Sequence, residues 1–328
     1  MQSPVFQAIK QAHPGWHITA WVAPRGTKTL AHNNAYIDEV IEEPIKRSLE
    51  QHLSLTRRLR QSHFDIGIVL SPGQLIKSSL YLFASSIPVR VGHYYPLGHN
   101  PHSHLFLTHA IPEQDNLHDI EQNLSLLNLL GIPPASTPVQ YSLVIPITAQ
   151  KQAEVMLAQL QLPLSKKIIG FHVGSAPQFH WKRWPLEYFA AIGRQLIERN
   201  AHILLLGSLD EIGPMKKMRR LLGSDTTIIT ADLLTTAAIM QHCRVLVSND
   251  SGLMHVGAAT GVKTLGLFGP TDEKKTGPRG PKSYVVRAPG TSPVYHTEKN
   301  FSLGIRPHES LVALKPAQVI RTITDLLS

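Results

Sequence analysis

The stretch Val245–Pro278, VLVSNDSGLMHVGAATGVKTLGLFGPTDEKKTGP, constrains this chain more than any other. Val245–Val247 is an apolar run of buried-strand type. It stops at Ser248-Asn249-Asp250-Ser251-Gly252, a cluster of turn and helix-capping residues. Leu253–Thr260 then has helical character, with Gly261 as its C-terminal stop. A second apolar run, Thr264–Phe268, ends at Gly269-Pro270-Thr271. In a parallel sheet both turns fall on the carboxyl edge, where open α/β folds bind ligands. The first turn feeds a helix N-terminus, whose free N–H groups and positive dipole end suit a phosphate. Ser251, His255, Thr271 and Lys274 offer side-chain donors. An ordinary strand–turn–helix with a good N-cap fits the same residues, and the stretch alone does not separate the two readings.

The remaining chain repeats this alternation. Helical spacing at Val5, Ala8, Ile9 and Ala12 predicts a helix over Pro4–Ala12. Strands are expected at Trp16–Val22, Tyr36–Ile41, Ile66–Leu70 and Val89–Gly92, with helices at Thr27–His32, Leu49–Ser62, Gln74–Ser85 and Asn116–Leu130. Tyr94–His109, rich in His, Pro and Gly, reads as a loop. The later half gives strands at Ile168–Val173, His202–Leu206, Thr227–Ile229 and Tyr284–Arg287. Its helices fall at Ala149–Leu160, Leu186–Arg199, Ile212–Leu222, Thr235–His242 and Lys315–Leu327. A length of 328 residues suits two domains. The proline-rich Pro133–Pro146 marks the join, giving domains 1–146 and 147–328. The fold class expected is α/β, with two Rossmann-like parallel sheets facing a cleft.

A formal charge of +9 and a pI near 9.6 suit an anionic partner: a nucleotide, a phosphorylated lipid, a membrane surface or a nucleic acid. The cations are scattered and aromatics make up only 6%, which disfavours a nucleic-acid stacking platform. A single cysteine, Cys243, rules out an internal disulfide framework and any Cys-based zinc site, and reads as a small core residue. No apolar run reaches the ~18–20 residues of a membrane span. The N-terminus shows no signal-peptide pattern, so a cytoplasmic protein is expected.

Four Gly-bearing turns follow strands in the second half: Gly174-Ser175-Ala176, Gly207-Ser208, Asp250-Ser251-Gly252 and Gly269-Pro270-Thr271. Four along one edge suggest a nucleotide-sized site. Neither a GxxxxGK[ST] P-loop nor a GxGxxG is present, which weakens kinase, ATPase and dehydrogenase readings. Lys182 and Arg183, ahead of Trp184 and Pro185, form either a diphosphate clamp or a solvated basic loop, with Trp184 packed beneath. Asp210 and Glu211 follow the Gly207 turn and either hold a ribose diol or complement a helix N-terminus. His93, His99, His102, His104 and His109 lie in or beside one loop, but no HExxH or carboxylate cluster accompanies them, so a substrate loop is preferred to a metal site.

Asn249-Asp250-Ser251-Gly252-Leu253-Met254-His255, with Phe268-Gly269-Pro270-Thr271 and Thr276-Gly277-Pro278, resembles the bacterial ADP-heptose:lipopolysaccharide heptosyltransferases, glycosyltransferase family nine. His172-Val173-Gly174-Ser175 with Lys182-Arg183-Trp184-Pro185 resembles the family's H-P-G-A…K-R-W-P segment. Phe64-Asp65 to Lys77-Ser78 and Arg90-Val91-Gly92 resemble its N-terminal half. The resemblance implies a GT-B fold, with the acceptor in the first domain and the nucleotide-sugar donor in the second. Donor binding then falls to Ser175, Lys182, Glu211, Asp250, Ser251, Gly252, His255 and Thr271. It implies inverting transfer of heptose from ADP-heptose to the lipopolysaccharide inner core at the inner membrane surface. No metal or cofactor is implied, the ADP-sugar being a substrate. The chain departs from the family at its start: Met1–Phe6 begins where the family's first helix begins. The family's first strand and Gly-Asp turn, with its expected catalytic base, have no counterpart. A gap or a non-standard pairing in the first sheet is therefore expected. Of two explanations, a recorded start downstream of the true one is preferred, because the remaining residues keep the family's functional pattern; the rival is a degraded relative, a catalytically impaired nucleotide-sugar-binding protein. The family's cysteine-bearing C-terminal segment differs too, since Ser302–Pro307 holds no cysteine.

Overall fold

A computed structural model describes residues 1–23, 26–43, 48–70, 75–94, 104–114, 116–133, 141–161, 165–294 and 303–328. It divides into two compact units, the first within Met1–Ser142 and the second from Leu143 onward. The division falls a few residues before the expected join at 146.

The second unit is built on one fully parallel sheet. Its elements are α6 (Ile147–Gln159), β6 (Lys167–His172), α7 (Leu186–Glu198), β7 (Ala201–Leu206), α8 (Ile212–Leu222), β8 (Thr226–Ile229), α9 (Leu233–Gln241), β9 (Val245–Asn249), α10 (Gly252–Thr260), β10 (Lys263–Phe268), α11 (Glu273–Thr276), β11 (Ser283–Arg287), α12 (Glu309–Ala313) and α13 (Pro316–Leu327). The strand order is β11-β10-β9-β6-β7-β8. Strand residues alternate between the two faces. Ile169, Phe171, Val245 and Val247 pack with Phe189 and Ile192 of α7, Met215 and Met218 of α8, and Val319 and Ile323 of α13. Leu246 points the other way, against Gly257 of α10, where an added Cβ would lie 2.2 Å from its Cδ2. Cys243 is buried on that side beside Gly170, and burial pushes its thiol up to about 12, which suits a packing residue.

The first unit comprises α1 (Ser3–Ala12), β1 (Thr19–Val22), α2 (Gly26–His32), β2 (Glu39–Glu42), α3 (Leu49–Gln61), β3 (Ile66–Ile68), α4 (Leu75–Ala84), β4 (Val89–Tyr94), β5 (His109–Pro112) and α5 (Asp119–Ser125). The β5 strand begins where the expected loop ends. It has four residues, none fully buried, and ends on a proline, so it carries no periodic signal. The long helix expected over Asn116–Leu130 is instead α5, capped by the His118 ring on Ile120 N at 3.1 Å, followed by a 3₁₀ turn at Leu126–Leu130.

Among the described residues the first unit's strands form two separate parallel sheets, β1-β2 and β3-β4-β5. In the second unit the equivalent pairs, β7-β8 and β9-β10-β11, are joined through β6. The first unit is therefore the same plan without the joining strand, which is the expected gap. Shared apolar layers hold its halves together. Ile18 and Trp16 before β1 and Ile68 of β3 meet α1 in one cluster; Trp21 of β1 and Phe64 before β3 meet α3 in another. The open edges cost less than a buried break would, because β1 and β3 are mostly half-exposed, whereas every residue of β9 is buried. Half-exposed backbone can hydrogen-bond to water. Thr19 Oγ1 on β1 is nonetheless buried without a partner.

Candidate active site

The register of the second sheet brings its turns level. Ser248 of β9 pairs with His172 of β6 on one side and Gly266 of β10 on the other. The turns after β6, β7, β9 and β10 therefore share the carboxyl edge, as the sequence pattern predicts.

Asn249 organises three of these segments. It is fully buried, its Oδ1 accepts from Trp184 N at 2.9 Å, and its Nδ2 donates to Gly174 O at 3.1 Å. One amide thus ties the end of β9 to the Gly174 turn and to the Lys182–Pro185 loop. Trp184 lies beneath that loop, 1% exposed, with Nε1 donating to Leu314 O at 2.8 Å. The Asn249 side chain was not among the expected site residues. The available signal is its place at the end of an otherwise apolar strand, where a buried amide must find partners.

Lys182 ends a 3₁₀ segment, Pro177–Lys182, and its ammonium lies 5.1 Å from the Phe179 ring and 5.5 Å from the Trp181 ring. Its Nζ donates to Asp250 Oδ2 at 2.7 Å, and both side chains are largely buried. Two expected donor-site residues are therefore brought together as an ion pair. Arg183 turns to the Gly174 loop, its Nε donating to Ser175 Oγ at 3.0 Å and its Nη2 to Ser175 O at 2.8 Å. The Ser175 hydroxyl in turn donates to Phe179 O at 2.7 Å, so its hydrogen bonds lie within the loop.

Asp250 and Ser251 lead into α10. Ser251 is the N-cap in extended conformation, yet its side chain makes no capping bond. Its Oγ is buried without a partner, and so is Thr271 Oγ1 in the turn after β10. Two orphaned hydroxyls on adjacent strand ends mark a place where an acceptor-rich group fits. Gly252 is exposed with open space where a Cβ would stand. His255 lies half-buried one turn further along α10. Arg287, closing β11, donates to Gly269 O and Thr271 O and pairs with Glu273 Oε2 through Nε at 2.9 Å. Burial raises the Glu273 carboxyl, but the Arg287 hydrogen bond, a backbone hydrogen bond and the charges of Arg287 and Lys274 together outweigh it, and the net shift is downward. Arg287 holds the Thr271 turn from behind. Lys274 and Asp210 are exposed.

Glu211 stands at the other end of the edge. Its Oε2 accepts from Ser208 N at 2.9 Å as a capping box, and its Oε1 lies 3.7 Å from His172 Nε2. It presses on both neighbouring turns: a Cβ at Gly174 would come within 1.7 Å of Oε1, and one at Gly207 within 2.9 Å of Oε2. The helix-terminal reading of Glu211 thus has its partners in the structure. Among the described residues no three His, Cys, Asp or Glu side chains gather as metal ligands. His99 and His102 lie outside the described residues.

A parallel α/β unit with a cation, an open helix N-terminus and orphaned hydroxyls on its carboxyl edge belongs to the class of open α/β folds that place ligands at that edge. The chain belongs to glycosyltransferase family 9 (heptosyltransferase), whose pattern matches residues 52–303. It is 25% identical over 341 residues to lipopolysaccharide heptosyltransferase 2 of Salmonella typhimurium, covering 100% of this chain and 94% of that one. Its fold matches the structure of Escherichia coli ADP-heptose lipopolysaccharide heptosyltransferase II, with a TM-score of 0.76, 22% identity, and coverage of 99% and 94%. A family 9 glycosyltransferase of Veillonella parvula gives a TM-score of 0.81 at 23% identity, covering 99% and 92%. The α/β, GT-B-like fold class is thus established.

Proposed function

We propose that this enzyme is an inverting glycosyltransferase that moves heptose from ADP-heptose to the inner core of lipopolysaccharide. The observation that carries the reading is the pair of orphaned hydroxyls, Ser251 Oγ and Thr271 Oγ1, beside Lys182 at the carboxyl edge of the second sheet. They match a diphosphate in charge and in hydrogen-bonding sense. The acceptor hydroxyl attacks the anomeric carbon, the bond from that carbon to the diphosphate oxygen breaks, and ADP leaves with the electron pair. Lys182, His255 and the N-terminus of α10 meet the charge that develops on the leaving group. In this reading those groups do the work without a metal or cofactor. A base takes the acceptor proton. Asp250 orients Lys182 through their ion pair. Gly252 lets the donor approach the backbone, and the Gly174–Ser175 turn and Glu211 bound the nucleoside end. The acceptor falls to the first unit. The names of the family relatives favour turnover over an impaired binding protein.

An ADP-sugar donor and a lipid-anchored acceptor place the reaction on the cytoplasmic face of the inner membrane, with the enzyme at its surface. Among the described residues no helix is long and apolar enough to cross a membrane, and the net charge of +9 suits an anionic leaflet. Calorimetric titration of the full chain with ADP tests the donor site. Saturable binding that Ser251→Ala with Thr271→Val weakens about tenfold or more is expected. Absence of ADP binding by the parent chain would overturn the reading. Transfer of heptose from ADP-heptose to heptose-deficient lipopolysaccharide tests turnover.

A further inference from the structure

Two neighbouring helices of the first unit carry large apolar side chains on their outer sides. On α3, Leu49 is 75% exposed and Leu53 59%. With Arg57 and Arg60, also exposed, they recur at i, i+4, i+8 and i+11, one stripe of a helix. On α4, Ile76, Leu80 and Phe83 recur at i, i+4 and i+7, and all three are exposed. The helices lie side by side. The His52 ring bonds the Tyr81 hydroxyl, and Leu55, Leu59 and Tyr81 share one cluster with Ile41 of β2 beneath them. Because Leu55, Leu59 and Tyr81 face the sheet, the helical period sends both apolar stripes outward. The surface continues past Phe83. Its ring meets Phe106 at 5.5 Å and lies 5.5 Å from the Arg90 guanidinium, and Leu105 beside Phe106 is 64% exposed.

Scattered exposed apolar residues are ordinary, whereas a run of six across adjoining segments is not. Three arginines stand beside it, against one exposed acid on α3. Arg57 and Arg60 extend the α3 stripe and Arg90 covers Phe83, while Glu50, the one acid of α3, borders the stripe about 60° round the helix from Leu53. An apolar face flanked by arginines fits an anionic lipid surface: the apolar groups enter the acyl boundary and the exposed Arg57 and Arg60 guanidinium groups meet headgroup phosphates, while Arg90 donates to Phe106 O and Ile87 O and braces the Phe83 end. We propose that the outer face of α3 and α4, continued by Phe106 and Leu105, docks this enzyme on an anionic phospholipid bilayer. The proposal rests on the reading that the acceptor is a lipopolysaccharide, and it names the surface that meets the membrane holding it.

Sedimentation of the full chain with phosphatidylethanolamine–phosphatidylglycerol vesicles tests it, with pure phosphatidylcholine vesicles alongside. Expected is binding to the anionic vesicles that weakens with salt and falls about tenfold in Leu80→Glu with Phe83→Glu. Arg57→Gln with Arg60→Gln should lower anionic binding and flatten its salt dependence. Val155→Glu with Val312→Glu, exposed apolar positions of the second unit, should leave vesicle binding unchanged. ADP titration of every variant shows that the donor unit is intact. The proposal falls if the parent ignores anionic vesicles, or if Leu80→Glu with Phe83→Glu binds them as the parent does. Loss of ADP binding by the parent would sink the donor reading and leave the vesicle result to stand by itself.

Discussion

Lys182 is held by Asp250 at 2.7 Å with little water around either group. Removing one partner leaves the other charge buried, at a cost of about 3 kcal/mol or more. Lys182→Ala should therefore lower stability in urea as well as ADP affinity, and affinity alone would not reveal which role matters. The double variant Lys182→Met with Asp250→Asn removes both charges together. Its stability should return to within about 1 kcal/mol of the parent, while ADP binding stays lost. Recovery of ADP binding would show that Lys182 serves only to neutralise Asp250. Asn249 presents the opposite case, a neutral group with two partners. Asn249→Ala strands Trp184 N and Gly174 O in the interior, costing about 2–3 kcal/mol in urea unfolding. Asn249→Asp can still accept from Trp184 N but cannot donate to Gly174 O. It should therefore lie no closer to the parent than the loss of that one bond allows.

At the scale of elements, the turns of the second sheet press on each other. Gly174 can only be glycine while Glu211 keeps its place, because an added Cβ would overlap its carboxylate. Gly174→Ala should cost about 2 kcal/mol or more by forcing Glu211 off its Ser208 bonds, and Gly174→Ala with Glu211→Ala should recover part of that in thermal unfolding. If the double variant is less stable than Gly174→Ala alone, the backbone rather than Glu211 is what excludes the side chain. Parts of this geometry are legible in the amino-acid sequence alone. Apolar runs such as Val245–Val247 and His202–Leu206, each closed by a polar turn, announce parallel strands, and their shared direction places the four turns on one edge. Other parts are not. Asn249 meets Trp184 across 65 positions of sequence, and Arg287 meets the Thr271 turn from the neighbouring strand; no local pattern encodes either. Short half-exposed elements such as β5 are invisible for a different reason: they lack enough buried residues to set a period.

For the whole molecule, the two units differ in how continuous their cores are. The second has six strands in one sheet and one large cluster whose buried residues come from four strands and four helices. Among the described residues the first has two short sheets and three small clusters. Its β1 and β3 edges are unpaired with each other and half-exposed. Cooperative stability scales with buried apolar area, so the first unit should lose structure at the lower denaturant concentration. Urea unfolding followed by fluorescence and circular dichroism should accordingly show two transitions, with Trp16 and Trp21 reporting the first and Trp181 and Trp184 the second. ADP stabilises only a folded state that binds it, by RT ln(1 + [L]/Kd), about 2.7 kcal/mol at one hundred times Kd. With the donor site on the carboxyl edge of the second sheet, saturating ADP should move the later transition upward and leave the earlier one in place. A shift of the first transition instead would mean that nucleotide binds the first unit, against the donor assignment.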